Sequence, residues 1–248
     1  SETYIPALDY FTAIDKPVDW KYAFERQWLF YKLWGRLLYD AETPDAVFQN
    51  ESNRRYGTKG DDLLKAFSLA SSTQLRLASL YNCTWDITLY SEGFLSLQGD
   101  STKYISVNAL INQLTNASEY VSVKDYVDDK LAGKEFSDDQ VTPIKLAEML
   151  EQDNQKALEL VSSKNSDGNA SLMYEVSDVK TWANLGLHLA SQIRGAIDLY
   201  TYRLTGDEAM KKSSISYLEK SLGYWDEVIK ITRPIYKDMK LLHYNHSF

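Results

Sequence analysis

The sequence predicts an all-α protein, a helical bundle that ends in a long antiparallel helical hairpin. Apolar residues recur at spacings of three and four over most of the 248 residues, which is the period of one buried face of an α-helix. Residues that favour helix starts and stops separate these periodic stretches. The sequence contains no alternation of apolar and polar residues of the length that a β-strand needs.

The N-terminal third predicts three helices. The first spans about residues 19–39, and we expect its apolar stripe to be buried. A second helix should begin at Thr43 and Pro44, a cap and first-turn pair, and end at Gly57. A third is expected over residues 61–81. The stripe of the first helix consists of Trp20, Phe24, Trp28, Tyr31, Trp34 and Leu38.

Helical periodicity is weakest over residues 82–139. A short helix is expected over residues 85–94, and two more should begin at the N-cap candidates Ser106 and Ser122, with Gly133 closing the last one. Long structureless loops are uncommon in compact domains. The region is therefore either functional or packed as short helices.

Regular periodicity returns at Thr142 and Pro143, which form another helix-start pair. After a polar turn at residues 165–169, an unbroken seam begins, and its middle is small at Gly186, where we expect another helix to approach closely. The helix that begins at Thr142 and Pro143 should bury Leu146, Leu150, Ala157 and Val161. The seam consists of Leu172, Val176, Val179, Ala183, Gly186, Ala190, Ile193, Ile197, Tyr200 and Leu204.

A turn at Thr205, Gly206 and Asp207 then joins the seam to a last helix, which Pro234 ends. Two long helices joined by three residues form a helical hairpin. Such a hairpin also occurs in tetratricopeptide-like solenoids, but the sequence has no second copy of the unit. We expect an irregular helical region over 1–140, which includes a linker from an upstream domain, and a hairpin bundle over 141–248, within one continuous domain.

Charge and composition exclude several classes of protein. The chain has 27 basic and 35 acidic residues, a net charge of −8, and no large Lys/Arg cluster. It therefore lacks the basic face that nucleic-acid binding requires. No apolar run approaches the roughly 20 residues of a membrane helix. Cys83 is the only cysteine, which leaves no internal disulfide and no thiolate zinc site.

The sequence offers no complete catalytic or metal-binding motif. It has no Gly-rich phosphate loop, no GxSxG elbow and no HExxH helix. His188 lies inside the long helix, where a lone histidine is usually structural, while His243 and His246 supply at most two metal ligands. We therefore predict no catalytic residue, no metal and no cofactor for the chain as it stands.

The best candidate binding site lies in the weakly periodic region, at Trp85, Asp86, Tyr90 and Glu92. Aromatic rings offer an apolar face that stacks on sugars, and carboxylates accept hydrogen bonds from sugar hydroxyls. This combination predicts a carbohydrate as the ligand. The alternative is a short amphipathic helix that packs on the core and leaves Glu92 solvated.

Several stretches resemble large bacterial glycan-degrading enzymes of the α-glucuronidase kind. The resemblance implies a helical C-terminal region that follows the catalytic barrel, and an exported parent protein, periplasmic or extracellular. The barrel and its carboxylates are absent here, so no catalytic residue is carried over. The stretches are 28–40 (WLFYKLWGRLLYD), 44–45, 55–57 (RYG), 185–190 (LGLHLA), 193–196 (IRGA), 202–207 (YRLTGD) and 222–225 (LGYW).

These observations predict a non-catalytic helical accessory domain of a polysaccharide-processing, glycoside hydrolase-like protein. It would support an upstream catalytic domain or a homodimer and contribute to a sugar cleft. The alternative is a helical-hairpin scaffold that binds a protein segment. The residues alone leave a cytoplasmic location open.

Overall fold

The computed structural model describes residues 20–80, 106–162 and 169–237, and it confirms the all-α class. Within these ranges the sheet-like pairing is limited to isolated bridge residues, among them the bridge between Tyr120 and Val141. A helix that is both long enough and apolar enough to span a membrane is not found there. The helices are α1 (Ala23–Arg26), α2 (Trp28–Leu37), α3 (Asp45–Tyr56), α4 (Gly60–Leu80), α5 (Val107–Asn112), α6 (Val123–Leu131), α7 (Pro143–Ser162), α8 (Ala170–Thr205) and α9 (Glu208–Thr232).

The helices form two compact units. Unit 1 contains the described residues up to 67, together with 158–162, 169–181 and 228–237, and unit 2 contains 68–80, 106–157 and 182–227. The helices α4, α7, α8 and α9 each contribute residues to both units. The division predicted from the sequence, at residue 140, stays a prediction.

The predicted helix-start signals act through side-chain capping. Ser106 Oγ accepts a hydrogen bond from the backbone N–H of Ala109 at 3.1 Å, and Ser122 Oγ accepts from Asp125 N at 3.0 Å. Each bond satisfies an N–H group that has no partner within its helix. Thr43 is the exception, because its hydroxyl donates to Asp40 O at 2.7 Å instead and helix α3 begins at Asp45.

Two glycines end helices as predicted. Gly57 follows α3 with a φ of 63°, and Gly206 follows α8 with a φ of 73°. Residues with a Cβ atom rarely adopt such angles, so glycine is favoured at both positions. After Gly206, Asp207 Oδ1 accepts a hydrogen bond from Ala209 N at 2.8 Å and caps α9.

The hairpin is antiparallel. In unit 2, His188 on α8 lies beside Ser221 on α9, with 2.9 Å between Nδ1 and Oγ. Seven residues further along α8, the carbonyl of Gly195 accepts a hydrogen bond from Ser214 Oγ at 2.7 Å. Partner numbers fall along α9 as they rise along α8, which confirms the predicted hairpin.

The small middle of the seam is tightly packed, as predicted. A Cβ atom added to Gly186 would lie 2.6 Å from Thr73 Oγ1 on α4 and in closer contact with the side-chain amide of Asn154 on α7. These two residues bond each other, and Asn154 Nδ2 also donates to Leu150 O at 2.8 Å. The far end of the seam is an exception, because Leu204 is exposed near the end of α8.

The first predicted helix differs from the sequence interpretation. It is broken at Gln27 into the short α1 and the ten-residue α2, and the break changes the direction in which later side chains point. Trp20 is buried as expected, but Trp34 is 55% exposed and Leu38 is 75% exposed. Burial therefore falls along the predicted stripe: Trp20 is buried, Phe24 and Trp28 are half-buried, and the later side chains are exposed. With Phe30 and Leu37, these side chains give α2 an exposed apolar face.

Candidate functional site

The binding site predicted from the sequence falls on residues that the structure does not describe. Trp85, Asp86, Tyr90 and Glu92 all lie within residues 81–105. Their assignment to a carbohydrate site stays a prediction. His243 and His246 also lie outside the described ranges.

The histidine that the structure does describe has a packing role. His188 is buried in unit 2, where Nδ1 lies 3.0 Å from Ser221 O and its ring lies 5.0 Å from that of Trp225. Burial lowers the pKa of His188, although the hydrogen bond at Ser221 opposes this effect. The ring is therefore held neutral between two helices.

Unit 1 contains an open pocket of about 500 Å³. Its walls come from three stretches of chain: the segment around α1 and α2, the C-terminal end of α3, and the first turns of α8. Nearly all the lining residues are aromatic or charged. They are Trp20, Phe24, Glu25, Arg26, Trp28, Tyr31, Arg55, Tyr56 and Glu175.

Glu175 is the most buried charged residue of the lining, with 7% of its surface exposed. Its Oε1 atom accepts hydrogen bonds from Tyr56 Oη at 3.0 Å and from Trp28 Nε1 at 3.3 Å. Among the described residues, no donor is bonded to Oε2. One carboxyl oxygen is therefore fixed, and the other can bond a ligand.

The environment of Glu175 favours its protonated form. Burial, and after it the nearby Asp178, raise the pKa of Glu175 to about 7, although Arg26 and the bonds from Tyr56 and Trp28 act in the opposite direction. Burial, and then the charge of Glu175, also raise the pKa of Tyr56 far above its usual range. At neutral pH the pocket thus contains a carboxyl group that can donate or accept a hydrogen bond.

Arg26 forms a hydrogen-bonded cluster next to Glu175. Its guanidinium donates to Asp178, to Tyr236 Oη at 3.1 Å and to Tyr174 O at 3.5 Å. Tyr236 donates to the other oxygen of Asp178. Because Asp178 is engaged on both oxygens, it is a supporting residue and Glu175 is the carboxyl group that faces the pocket.

A second carboxylate, that of Glu25, also lines the pocket. Its Oε2 atom accepts hydrogen bonds from the backbone N–H groups of Lys21 and Tyr22, the latter at 2.8 Å. This carboxylate therefore holds the chain at the start of α1. Glycosidases need two carboxyl groups that flank the scissile bond. In this lining Glu25 is bound to backbone N–H groups, so Glu175 is the carboxyl group that we assign to ligand binding.

Sequence analysis did not identify this pocket. Trp28 and Glu175 are 147 residues apart, and Tyr56 and Glu175 are 119 apart. One signal was available in the sequence: Glu175 lies among the apolar residues Leu172, Met173, Tyr174 and Val176. A carboxyl group at such a position needs partners, because its burial is costly without them.

The chain shares its fold with part of a known enzyme. A solved structure described as a GH138 enzyme targeting pectin rhamnogalacturonan II matches with a TM-score of 0.68 at 14% identity, over 89% of this chain and 33% of that one. The chain thus spans about a third of the length of this enzyme. No family model and no curated protein matches it. The likeness shows that the chain shares the fold of part of this enzyme, and it does not single out α-glucuronidases.

Proposed function

We propose that this chain is a non-catalytic helical domain of a glycoside hydrolase-like protein and that its pocket contributes to binding the polysaccharide. The pocket of unit 1 carries this proposal. It combines aromatic surfaces, which stack on sugar rings, with the few directed polar groups that orient a small ligand. The uncommitted Oε2 of Glu175 suits a sugar hydroxyl, which both donates and accepts hydrogen bonds.

The likeness to the GH138 enzyme supports the larger context. The fold that this chain shares covers about a third of that enzyme, and the sequence offers no complete catalytic motif. We therefore place the catalytic carboxylates on another part of a longer parent protein. The finer relation to the C-terminal region of α-glucuronidase-like enzymes, and with it an exported bacterial parent, belongs to this proposal.

The exposed apolar face of α2 supports the accessory role. Phe30, Trp34, Leu37 and Leu38 are all exposed, and they lie on one side of a helix that has no buried residue. Exposed apolar patches of this kind mark interaction surfaces. Tyr31, on the same helix, lines the pocket and contacts Phe30 at a ring distance of 5.3 Å. A catalytic domain that covers this face would therefore adjoin the pocket.

Sugar binding is tested by calorimetric titration of the chain with oligosaccharides released from pectin. Tyr31 lines the pocket, whereas Tyr39 is 91% exposed and does not. We expect Tyr31→Ser to weaken binding about threefold to tenfold, the equivalent of one lost stacking contact of about 0.5–1.5 kcal/mol. The control Tyr39→Ser should leave the affinity unchanged.

A third variant, Trp85→Ala, tests the site predicted from the sequence. Weaker binding in Trp85→Ala with full binding in Tyr31→Ser would move the site to residues 85–92. If none of the oligosaccharides binds to the wild-type chain, the carbohydrate function is wrong.

A further inference from the structure

Arg55 presents an unused cationic group to the pocket. Its guanidinium lies over the ring of Trp28, with 4.6 Å between Cζ and the ring centroid, and its Nε donates to Glu51 Oε1 at 3.0 Å. Its two terminal amino groups bond no acceptor among the described residues. A guanidinium that is held over an aromatic ring, with its terminal N–H groups free, is pre-organised to bind an oxyanion.

The charges around Arg55 leave an excess of cations. Glu51 is the shared partner of Arg55, of Arg54 at 2.6 Å and of Lys32 at 3.7 Å. The hydrogen bond from Arg54 lowers the pKa of Glu51, so this carboxylate is ionised at neutral pH. One negative charge against three positive charges is unusual in a chain whose net charge is −8. The excess favours an anion next to this wall of the pocket.

The two carboxyl groups of the lining do not remove this preference. Glu25 is bound to two backbone N–H groups at the start of α1. Glu175 is buried and fixed through Oε1 by Tyr56 and Trp28, and its raised pKa of about 7 reduces its negative charge at neutral pH. Arg26, the other cation of the lining, is engaged by Asp178 and Tyr236. Of the two cations of the lining, Arg55 is thus the one whose terminal amino groups are available to an anion.

We propose that the ligand of this pocket is an acidic sugar whose carboxylate or sulfate group binds the terminal amino groups of Arg55. This inference rests on the proposed sugar-binding function and names the ligand class. The ring of the sugar would contact the aromatic lining formed by Phe24 and Tyr31, and one hydroxyl would bond Glu175 Oε2. The anion and the hydroxyl are then recognised on two sides of one ring.

The test compares ligands that differ only in charge. The wild-type chain is titrated with a galacturonic acid trisaccharide and with its methyl ester, and separately with a sulfated trisaccharide and its unsulfated form. We expect at least one of the acidic ligands to bind at least tenfold more tightly than its neutral counterpart. The acidic ligand that shows this preference identifies whether the pocket binds a carboxylate or a sulfate group.

The variants locate the selectivity at Arg55. Arg55→Gln should remove the preference for the acidic ligand, and Arg55→Lys should retain part of it. Arg54→Gln is the matched control, because Arg54 shares Glu51 but is 73% exposed and does not line the pocket. That control should keep the full preference. Circular dichroism and thermal unfolding confirm that each variant is folded.

The outcomes separate the two proposals. Equal binding of acidic and neutral ligands, still weakened by Tyr31→Ser, would overturn the anionic class and leave the sugar-binding function standing. A charge preference that survives Arg55→Gln would also overturn the inference. Absence of binding by every ligand would remove both proposals.

Discussion

The two units bury polar groups in different ways. In unit 2, the buried polar side chains bond one another across neighbouring helices: Asn154 with Thr73, Ser221 with His188, and Ser214 with the carbonyl of Gly195. Ion pairs between Arg76 and Asp153 and between Arg194 and Glu151 also join helices, although Nη1 of Arg76 is buried without a hydrogen-bond partner among the described residues. These contacts fix the register between neighbouring helices.

In unit 1 the polar groups instead surround a cavity. Glu175 and Arg55 each use part of their bonding capacity within the protein and leave the rest facing the pocket. Buried polar groups are normally satisfied within the fold. A cluster that stops short of full satisfaction around an open volume is therefore better explained by a ligand than by stability. Three sets of substitutions test this contrast.

The largest effect on stability is expected for Trp20 of unit 1, and Trp34 of the same unit is its control. Trp20 is buried against Tyr174, with ring centroids 6.1 Å apart, so Trp20→Ala should lower the free energy of unfolding by about 3–5 kcal/mol. Trp34→Ala removes an exposed side chain and should change it by less than about 0.5 kcal/mol. Urea denaturation measures both. A large cost for Trp34→Ala would show that the chain itself covers the face of α2.

The second prediction concerns the pH dependence that Glu175 adds to stability. Its pKa is raised from 4.5 to about 7 on folding, so the folded state binds the proton more tightly than the unfolded state does. Stability from this group is fully present below pH 4.5 and is lost as the pH rises through 7. Glu175→Gln keeps the shape of the protonated acid and removes this loss.

Denaturation of the wild type and of Glu175→Gln between about pH 4.5 and about pH 8 measures the difference. We expect the variant to gain up to about 3 kcal/mol relative to the wild type across this range. The other titrating groups cancel in the comparison because both proteins contain them. Parallel pH profiles would mean that Glu175 stays ionised in the fold, and the proposed bonding of its Oε2 atom as a donor would then be wrong.

The third prediction compares two helical glycines of unit 2. An added Cβ at Gly186 meets Thr73 and Asn154, whereas an added Cβ at Gly223 meets nothing within 4 Å. Gly186→Ala should therefore destabilise the protein by about 2 kcal/mol through overpacking. Gly223→Ala should stabilise it by about 0.8 kcal/mol, since alanine is the better helix former. Shifts of the same sign in thermal unfolding would contradict the close approach of helices at Gly186.

The fold was predictable from the sequence because its signals are local. Ser122 caps a helix through the third residue after it, and Gly206 ends α8 at the position where the apolar seam stops. The seam indicated close packing at Gly186 because small residues recur there. The break at Gln27 carries no comparable signal, because the residues on both sides continue the helical period.

The candidate site was not predictable for the opposite reason. Its chemistry depends on where Trp28, Tyr56 and Glu175 meet, and that is decided by the packing of α8 rather than by any short motif. Periodicity shows that apolar side chains share one face of a helix, but it does not show which part of the protein covers that face. The exposure of Trp34 and Leu38 shows the same limit.

The hydrogen-bonded cluster of Arg26, Asp178 and Tyr236 also determines when unit 1 can finish folding during synthesis. The side chains of Arg26 and Tyr236 bond across a separation of 210 residues, so the cluster is complete only after the ribosome has added all the residues between them. At about 5–20 residues per second, the N-terminal aromatic segment waits about 10–40 s for its last partner. During that interval Trp20 and Trp28 are available to chaperones and to other nascent chains, so the yield of folded protein depends on how they are shielded.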